Sequence, residues 1–187
     1  MRLTDTKDHV PAPDTTQPSS PVRPAPWRSP AQFLACGFGA GLSPKAPGTV
    51  GTAVAVPLYW LAADWGLPLY SVFVVGAALL GVWVCGAASR QLRVHDHPAI
   101  VWDEFVGYWI TLWAMPVDWL WMAAGFVVFR VYDIVKPWPC NWLDKHVHGG
   151  WGVMLDDGVA GLYAMAALAG TDALLAGNGI AFFGLGA

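Results

Sequence analysis

YSVFVVGAALLGVWVCGAA, residues 70–88, carries no charged side chain along its length. As a helix rising ~1.5 Å per residue, this run of about 19 residues is close to the length that spans a hydrocarbon core. It predicts a transmembrane helix and sets the frame for its neighbours. Before it lies a second apolar stretch, Val50 to Ala63, broken by Asp64, Gly66 and Pro68. After it, residues 89–104 are polar. The stretch from Phe105 to Phe129 is apolar except for Asp118 beside Pro116. Each half of it has about 12 residues, roughly 18 Å of helix, too short to span. Two short helices packed in the protein or dipping into the membrane fit this pattern, and one bent span also fits it. Residues 130–157 are polar again. A last apolar segment runs from Gly158 to Ala187, marked by Asp172 and Asn178. Neither β alternation nor a solenoid repeat is evident. The expected fold is all-α, a multi-helical membrane-associated bundle with polar cytoplasmic loops.

Composition agrees. Of 187 residues, 56% are hydrophobic and only 12% charged, about half the share usual in soluble domains. Mean hydropathy is +0.45, and there are 12 tryptophans. A net charge of −3 gives no basic footprint for a nucleic acid. Cys36, Cys85 and Cys140 lack zinc-site spacing and read as buried thiols. Residues 1–30 are polar and proline-rich and read as a disordered tail, leaving 31–187 as one helical domain. Outside the tail the basic residues are Lys45, Arg90, Arg93, Arg130, Lys136 and Lys145. If the segments pair as hairpins, the tail and the 89–104 and 130–157 loops share one side, which the positive-inside rule makes cytoplasmic.

The acidic residues are paired. Asp103 and Glu104 sit in VWDEFVGYW, and Asp156 and Asp157 in MLDDGVAGLY, each where an apolar helix is expected to begin. Gly107 follows Asp103, and Gly161 follows Asp157, at i+4, so a partner helix can come close on the acidic face. One acid would cap a helix and complement its dipole. Two acids at each of two boundaries exceed that need. Four nearby carboxylates repel one another unless something positive lies between them. A hard divalent cation such as Mg²⁺, which takes carboxylate and water oxygens, resolves the repulsion. Capping and metal binding both remain open on spacing alone.

Three further stretches carry polar chemistry. SPKAPGTVGT offers backbone amides, the hydroxyls of Ser43 and Thr49 and the ammonium of Lys45, a composition suited to phosphate, although it is no P-loop. By itself the signal is weak, and a loop that merely starts the first apolar helix at Thr49 is the better reading. In FRVYDIVKPWPCNW, Arg130, Asp133 and Lys136 lie near one face of a helix expected to end before Pro137. Arg130 and Lys136 can hold phosphate oxygens, and Asp133 can join a metal shell; an interfacial ion pair is the plainer reading. Histidines occur as HDH (His95, His97) and HVH (His146, His148). Zinc ligation, leaving-group protonation and exposed loop residues are the alternatives for them. With no GxSxG and no partnered cysteine, a Ser or Cys nucleophile is disfavoured.

The stretches GFGAGLSPKAPGTVGT, HDHPAIVWDEFVGYWITL, GFVVFRVYDIVKPWPCNWLDKHVHGG and MLDDGVAG resemble, in order and spacing, the phosphatidylglycerophosphatase A family. The resemblance covers roughly residues 33–165. It implies a Mg²⁺-dependent, all-helical enzyme of the bacterial inner membrane that converts phosphatidylglycerophosphate to phosphatidylglycerol and phosphate, with its active site on the cytoplasmic face. The expected site places Asp103, Glu104, Asp156 and Asp157 around the metal. Asp133 joins the catalytic set, and Ser43, Lys45, Thr49, Arg130 and Lys136 bind the phosphate. Water attack and a phospho-aspartate route are both open. A CDP-alcohol phosphatidyltransferase is the rival enzyme, but the arginine and later aspartates of that pattern are absent after Asp156-Asp157-Gly158. A transporter or assembly protein is the non-enzymatic rival and predicts acids in the middle of apolar segments.

Overall fold

The short apolar segment after Glu104 forms the centre of the molecule. In the computed structural model, which describes residues 22–113 and 115–177, the α-helices are α1 (Pro30–Ala35), α2 (Pro47–Ala63), α3 (Leu67–Leu92), α4 (Trp102–Thr111), α5 (Trp119–Val135), α6 (Cys140–His146) and α7 (Gly149–Gly177). No strand occurs among the described residues. Helix α4 is buried on nearly every side, with α2, α3, α5 and α7 packed around it. Its length is therefore set by the bundle and not by a bilayer.

Aromatic side chains bind α4 to its neighbours. Trp102, Phe105, Tyr108 and Trp109 are all buried. Their polar tips are satisfied across the helices. The Trp102 indole donates to the Ala77 carbonyl and the Trp109 indole to the Ala55 carbonyl, each at 3.0 Å. The Tyr70 hydroxyl donates to the Trp109 carbonyl at 2.8 Å. Buried indole and phenol groups need such partners, so these contacts fix the rotation of α4 as well as its depth. The break at Asp118 is a helix cap: its carboxylate accepts the Leu120 amide at 2.7 Å and starts α5. Helix α5 ends at Val135, before Pro137 as expected, with Lys136 in the left-handed region.

Two expectations are corrected. Helix α7 begins at Gly149, so Asp156 and Asp157 lie about two turns inside it and not at its start. The GGWG run that reads as loop is helical, and two of its glycines lie against other backbone where no side chain would fit. A methyl at Gly150 would collide with the Val82 carbonyl, and one at Gly152 with the Val147 carbonyl. Capping cannot account for the second acidic pair. In addition, only residues 1–21 of the expected tail lie outside the described residues. From Val22 to Ser29 the chain makes local contacts with the domain although half of its residues are exposed: the Val22 amide donates to the Leu92 carbonyl, Pro26 is buried, and Ser29 caps α1. The expected segment from 178 to the end also lies outside the described residues.

Helices α3 and α7 are long and apolar enough to cross a membrane. Their apolar side chains are not all used by the core. Val72, Leu79, Trp83 and Leu174 are each at least 60% exposed, which a soluble surface seldom gathers on neighbouring helices.

Candidate active site

The two acidic pairs meet because their helices touch through glycine. Asp103 and Glu104 lie in the first turn of α4. Asp157 approaches from α7. One ligand oxygen from each of Asp103, Glu104 and Asp157 lies within 4.8 Å of the others. All three are shielded: Asp103 and Asp157 are buried, and the Glu104 side chain is 13% exposed. Burial pushes the Glu104 carboxyl up to about 8, with Asp157 and Asp133 adding to the rise and Asp103 and Arg130 opposing it. Burial and the charge of Glu104 hold Asp103 well above the usual carboxylate range.

The cluster fits a cation on its own geometry. Asp103 Oδ1, Glu104 Oε2 and Asp157 Oδ2 are buried and have no hydrogen-bond partner. Orphaned carboxylate oxygens are costly in a low-dielectric interior. Three of them from converging carboxylates form the donor set that a hard divalent ion takes, with water completing the shell.

The same carboxylates line a cavity of about 380 Å³ whose other wall is basic. Arg130 and Asp133 come from α5, one turn apart. Arg130 Nη1 lies 2.5 Å from Asp133 Oδ2 and 3.9 Å from Glu104 Oε1. Lys136, at the end of α5, lies 2.7 Å from Asp156 Oδ2 and 3.2 Å from Asp144 Oδ1. Burial alone would lower the Lys136 ammonium, but its bonds to Asp156 and Asp144 outweigh that and raise it. Lys136 is thus a fixed cation. Asp156 is set apart from the three clustered acids: Lys136 holds one of its oxygens, while Oδ1 is buried without a partner.

Ser43, Lys45 and Thr49 do not line this cavity. Lys45 is exposed, and the Ser43 hydroxyl donates back to the Lys45 carbonyl at 2.8 Å. That stretch contributes backbone instead. Ala46 takes a left-handed conformation, and Pro47 and Gly48 start α2 against the cavity wall. Gly48 has no room for a side chain, since a methyl there would collide with Glu104 Oε1 and reach 3.1 Å from Arg130 Nη1. Sequence reasoning missed three participants. Gly48 was one glycine among several. Asp96, which lines the cavity, was masked by the histidines beside it, and Asp144 by the polar loop around it.

The family model for Phosphatidylglycerophosphatase A matches residues 33–172. Phosphatidylglycerophosphatase A of Escherichia coli (strain K12) is 50% identical over 144 residues, covering 76% of this chain and 81% of that protein. The protein of the same name from Haemophilus influenzae is 40% identical over 152 residues, covering 79% and 91%. A protein named "Putative phosphatidylinositol-3-phosphatase" from Bacteroides thetaiotaomicron is 38% identical over 149 residues, covering 73% and 90%. No solved structure matches the chain.

Proposed function

The chain belongs to the phosphatidylglycerophosphatase A family, and from that membership we propose that it hydrolyses phosphatidylglycerophosphate to phosphatidylglycerol and phosphate. The observation that carries the reading is one cavity with a buried carboxylate cluster on one wall and Arg130 and Lys136 on the other. Phosphoryl transfer asks for positioning and charge neutralisation more than for covalent chemistry.

Asp103, Glu104 and Asp157 would hold Mg²⁺, with Asp156 and Asp133 at its margin. When bound, the ion would supply Lewis-acid neutralisation of the phosphoryl oxygens. The residues of the chain do the rest. Arg130, oriented by Asp133, and Lys136, oriented by Asp156 and Asp144, donate to the phosphate oxygens and stabilise charge as it builds. Asp156 has one oxygen fixed by Lys136 and one unbonded, the arrangement of an oriented base that takes a proton from the attacking water.

The same reading puts the protein in the bacterial inner membrane, with α3 and α7 as spans and the cavity on the cytoplasmic side. It is supported by the exposed apolar faces of these helices and by Arg90, Arg93, Arg130 and Lys136 gathering at the cavity end.

The test is phosphate release by the purified chain from phosphatidylglycerophosphate in mixed micelles, beside phosphatidylinositol 3-phosphate. Chelation should silence release, and Mg²⁺ should restore it. Faster release from the inositol lipid would overturn the substrate assignment, and full activity in chelator would overturn the metal. A single-turnover burst with label trapped on protein would replace direct water attack by a phospho-aspartate.

A further inference from the structure

The histidines of HDH and HVH line no part of the catalytic cavity, yet the fold joins two of them. The rings of His95 and His148 stack, with centroids 4.9 Å apart and planes at 16°. Each ring already uses one nitrogen on a backbone carbonyl: His95 Nε2 lies 3.2 Å from the Val147 oxygen and His148 Nδ1 3.2 Å from the His146 oxygen. Imidazole lone pairs lie in the ring plane, so stacked, nearly parallel rings do not converge on one tetrahedral zinc.

These histidines line a second cavity, of about 280 Å³, together with Ser89, Arg90, Arg93 and Gly149. It shares no lining residue with the catalytic cavity: His95 faces this one and the adjacent Asp96 the other. No lining residue is acidic, and among the described residues neither Arg90 nor Arg93 forms an ion pair. A cation near the end of α3 complements the helix dipole, but that role needs neither a second arginine nor a cavity closed by His95 of the loop after α3 and His148 just before α7. The Ser89 hydroxyl donates to the His95 carbonyl at 2.7 Å and fastens the turn that carries Arg93. The cavity lies where both candidate spans reach their polar ends. Trp83 and Trp151, both exposed, sit on those helices close by in sequence, as indoles do at a membrane interface.

We propose that this cavity is a second, non-catalytic site for the phosphodiester headgroup of an anionic phospholipid resident in the bilayer. Two guanidiniums without an acid match a phosphodiester, and the exposed apolar face of α3 below them suits the acyl chains. The inference rests on the membrane placement of α3 and α7, but not on the identity of the reaction.

Native mass spectrometry of the full chain in detergent micelles tests it, with phosphatidylserine, phosphatidylcholine and inorganic phosphate as probes. The wild type and Asp103→Asn should both retain phosphatidylserine over phosphatidylcholine. The double variant Arg90→Gln/Arg93→Gln should lose that retention by about tenfold while still releasing phosphate from the substrate. Should that variant misfold, Arg90→Lys/Arg93→Lys keeps the charge, loses the planar fork and should give a partial loss. Retention unchanged in the glutamine variant, or abolished by Asp103→Asn, overturns the proposal. So does displacement of the lipid by an equal concentration of inorganic phosphate, which would mark a free-anion site. A wild type that is soluble without detergent and retains no lipid would sink the membrane placement and the inference with it. Arginine-dependent retention in a chain inactive on phosphatidylglycerophosphate would sink the reaction alone.

Discussion

Gly107 on α4 and Gly161 on α7 face each other with no side chain between them. A methyl on Gly161 would run into the Gly107 carbonyl, and one on Gly107 would come within 2.9 Å of the Asp157 carbonyl. Each glycine lies about one turn beyond an acid of the cluster, Asp103 in one helix and Asp157 in the other. The contact that seats the two helices therefore also sets the spacing of the carboxylates.

Gly161→Ala should destabilise the protein and weaken metal binding together. Alanine gains about 0.5–1 kcal/mol of helix propensity over glycine. Overpacking against backbone costs about 1–3 kcal/mol, and a carbonyl in a packed helix has little freedom to yield. Gly170→Ala, on the same helix with nothing near its Cβ position, should keep the propensity gain. Thermal unfolding in detergent separates the two. A Gly161→Ala protein as stable as Gly170→Ala would mean that α4 and α7 are not in direct contact.

Asp103→Asn, Glu104→Gln and Asp157→Asn should each lower turnover by about a hundredfold or more, since an amide is a poor ligand for a hard cation and leaves charge on the phosphate uncompensated. Without metal the same variants should unfold at a higher temperature than the wild type, because each removes a carboxylate from a repelling cluster. Opposite signs for activity and stability distinguish a functional site from a structural one. Near-normal turnover in two of the three would disprove the cluster's role.

The Glu104 carboxyl, near 4.5 when exposed, is held at about 8 in the metal-free fold. The folded state then binds protons more tightly than the unfolded one. Its contribution to stability is complete below pH 4.5 and is lost as pH rises through about 8. The metal-free protein should therefore melt at progressively lower temperature across that window. Added Mg²⁺ should raise the melting temperature most at the upper end, where protons no longer compete for the carboxylates. Melting curves at several pH values, with and without Mg²⁺, check this. A metal-free melting temperature that climbs with pH across the window would contradict it.

The core was legible where burial follows hydropathy. The half-length segments around Asp118 were too short to span, and they became α4 and α5. The i+4 glycines predict close approach of a partner helix on each acidic face, and the fold makes α4 and α7 each other's partner. What sequence could not give was set by tertiary contact. The close backbone contact of Gly150, inside α7, with the Val82 carbonyl is tertiary, and no local propensity encodes it. Asp96 and Asp144 are ordinary loop acids until Lys136 and the cavity lie beside them. Lys45 misled for the opposite reason: its neighbours have a phosphate-loop composition, but the left-handed turn at Ala46 directs backbone, not that side chain, to the cavity wall.

Gly48 gives the sharpest test of how the site is held. It lies in the first turn of α2, and no part of it is a ligand. Yet a methyl at this position would collide with Glu104 Oε1 and crowd Arg130 Nη1. Glu104 is enclosed, so its carboxylate can yield only by leaving the position it shares with Asp103 and Asp157. Gly48→Ala should thus weaken Mg²⁺ binding by about tenfold or more, the size of effect seen when the support of a ligand is disturbed. The fold should change little, because alanine is well tolerated in a helix. The measurement is the Mg²⁺ concentration for half-maximal phosphate release, with melting temperature as the control. If Mg²⁺ dependence stays at the wild-type value while maximal rate falls, Gly48 acts on Arg130 and the phosphate rather than on Glu104 and the metal.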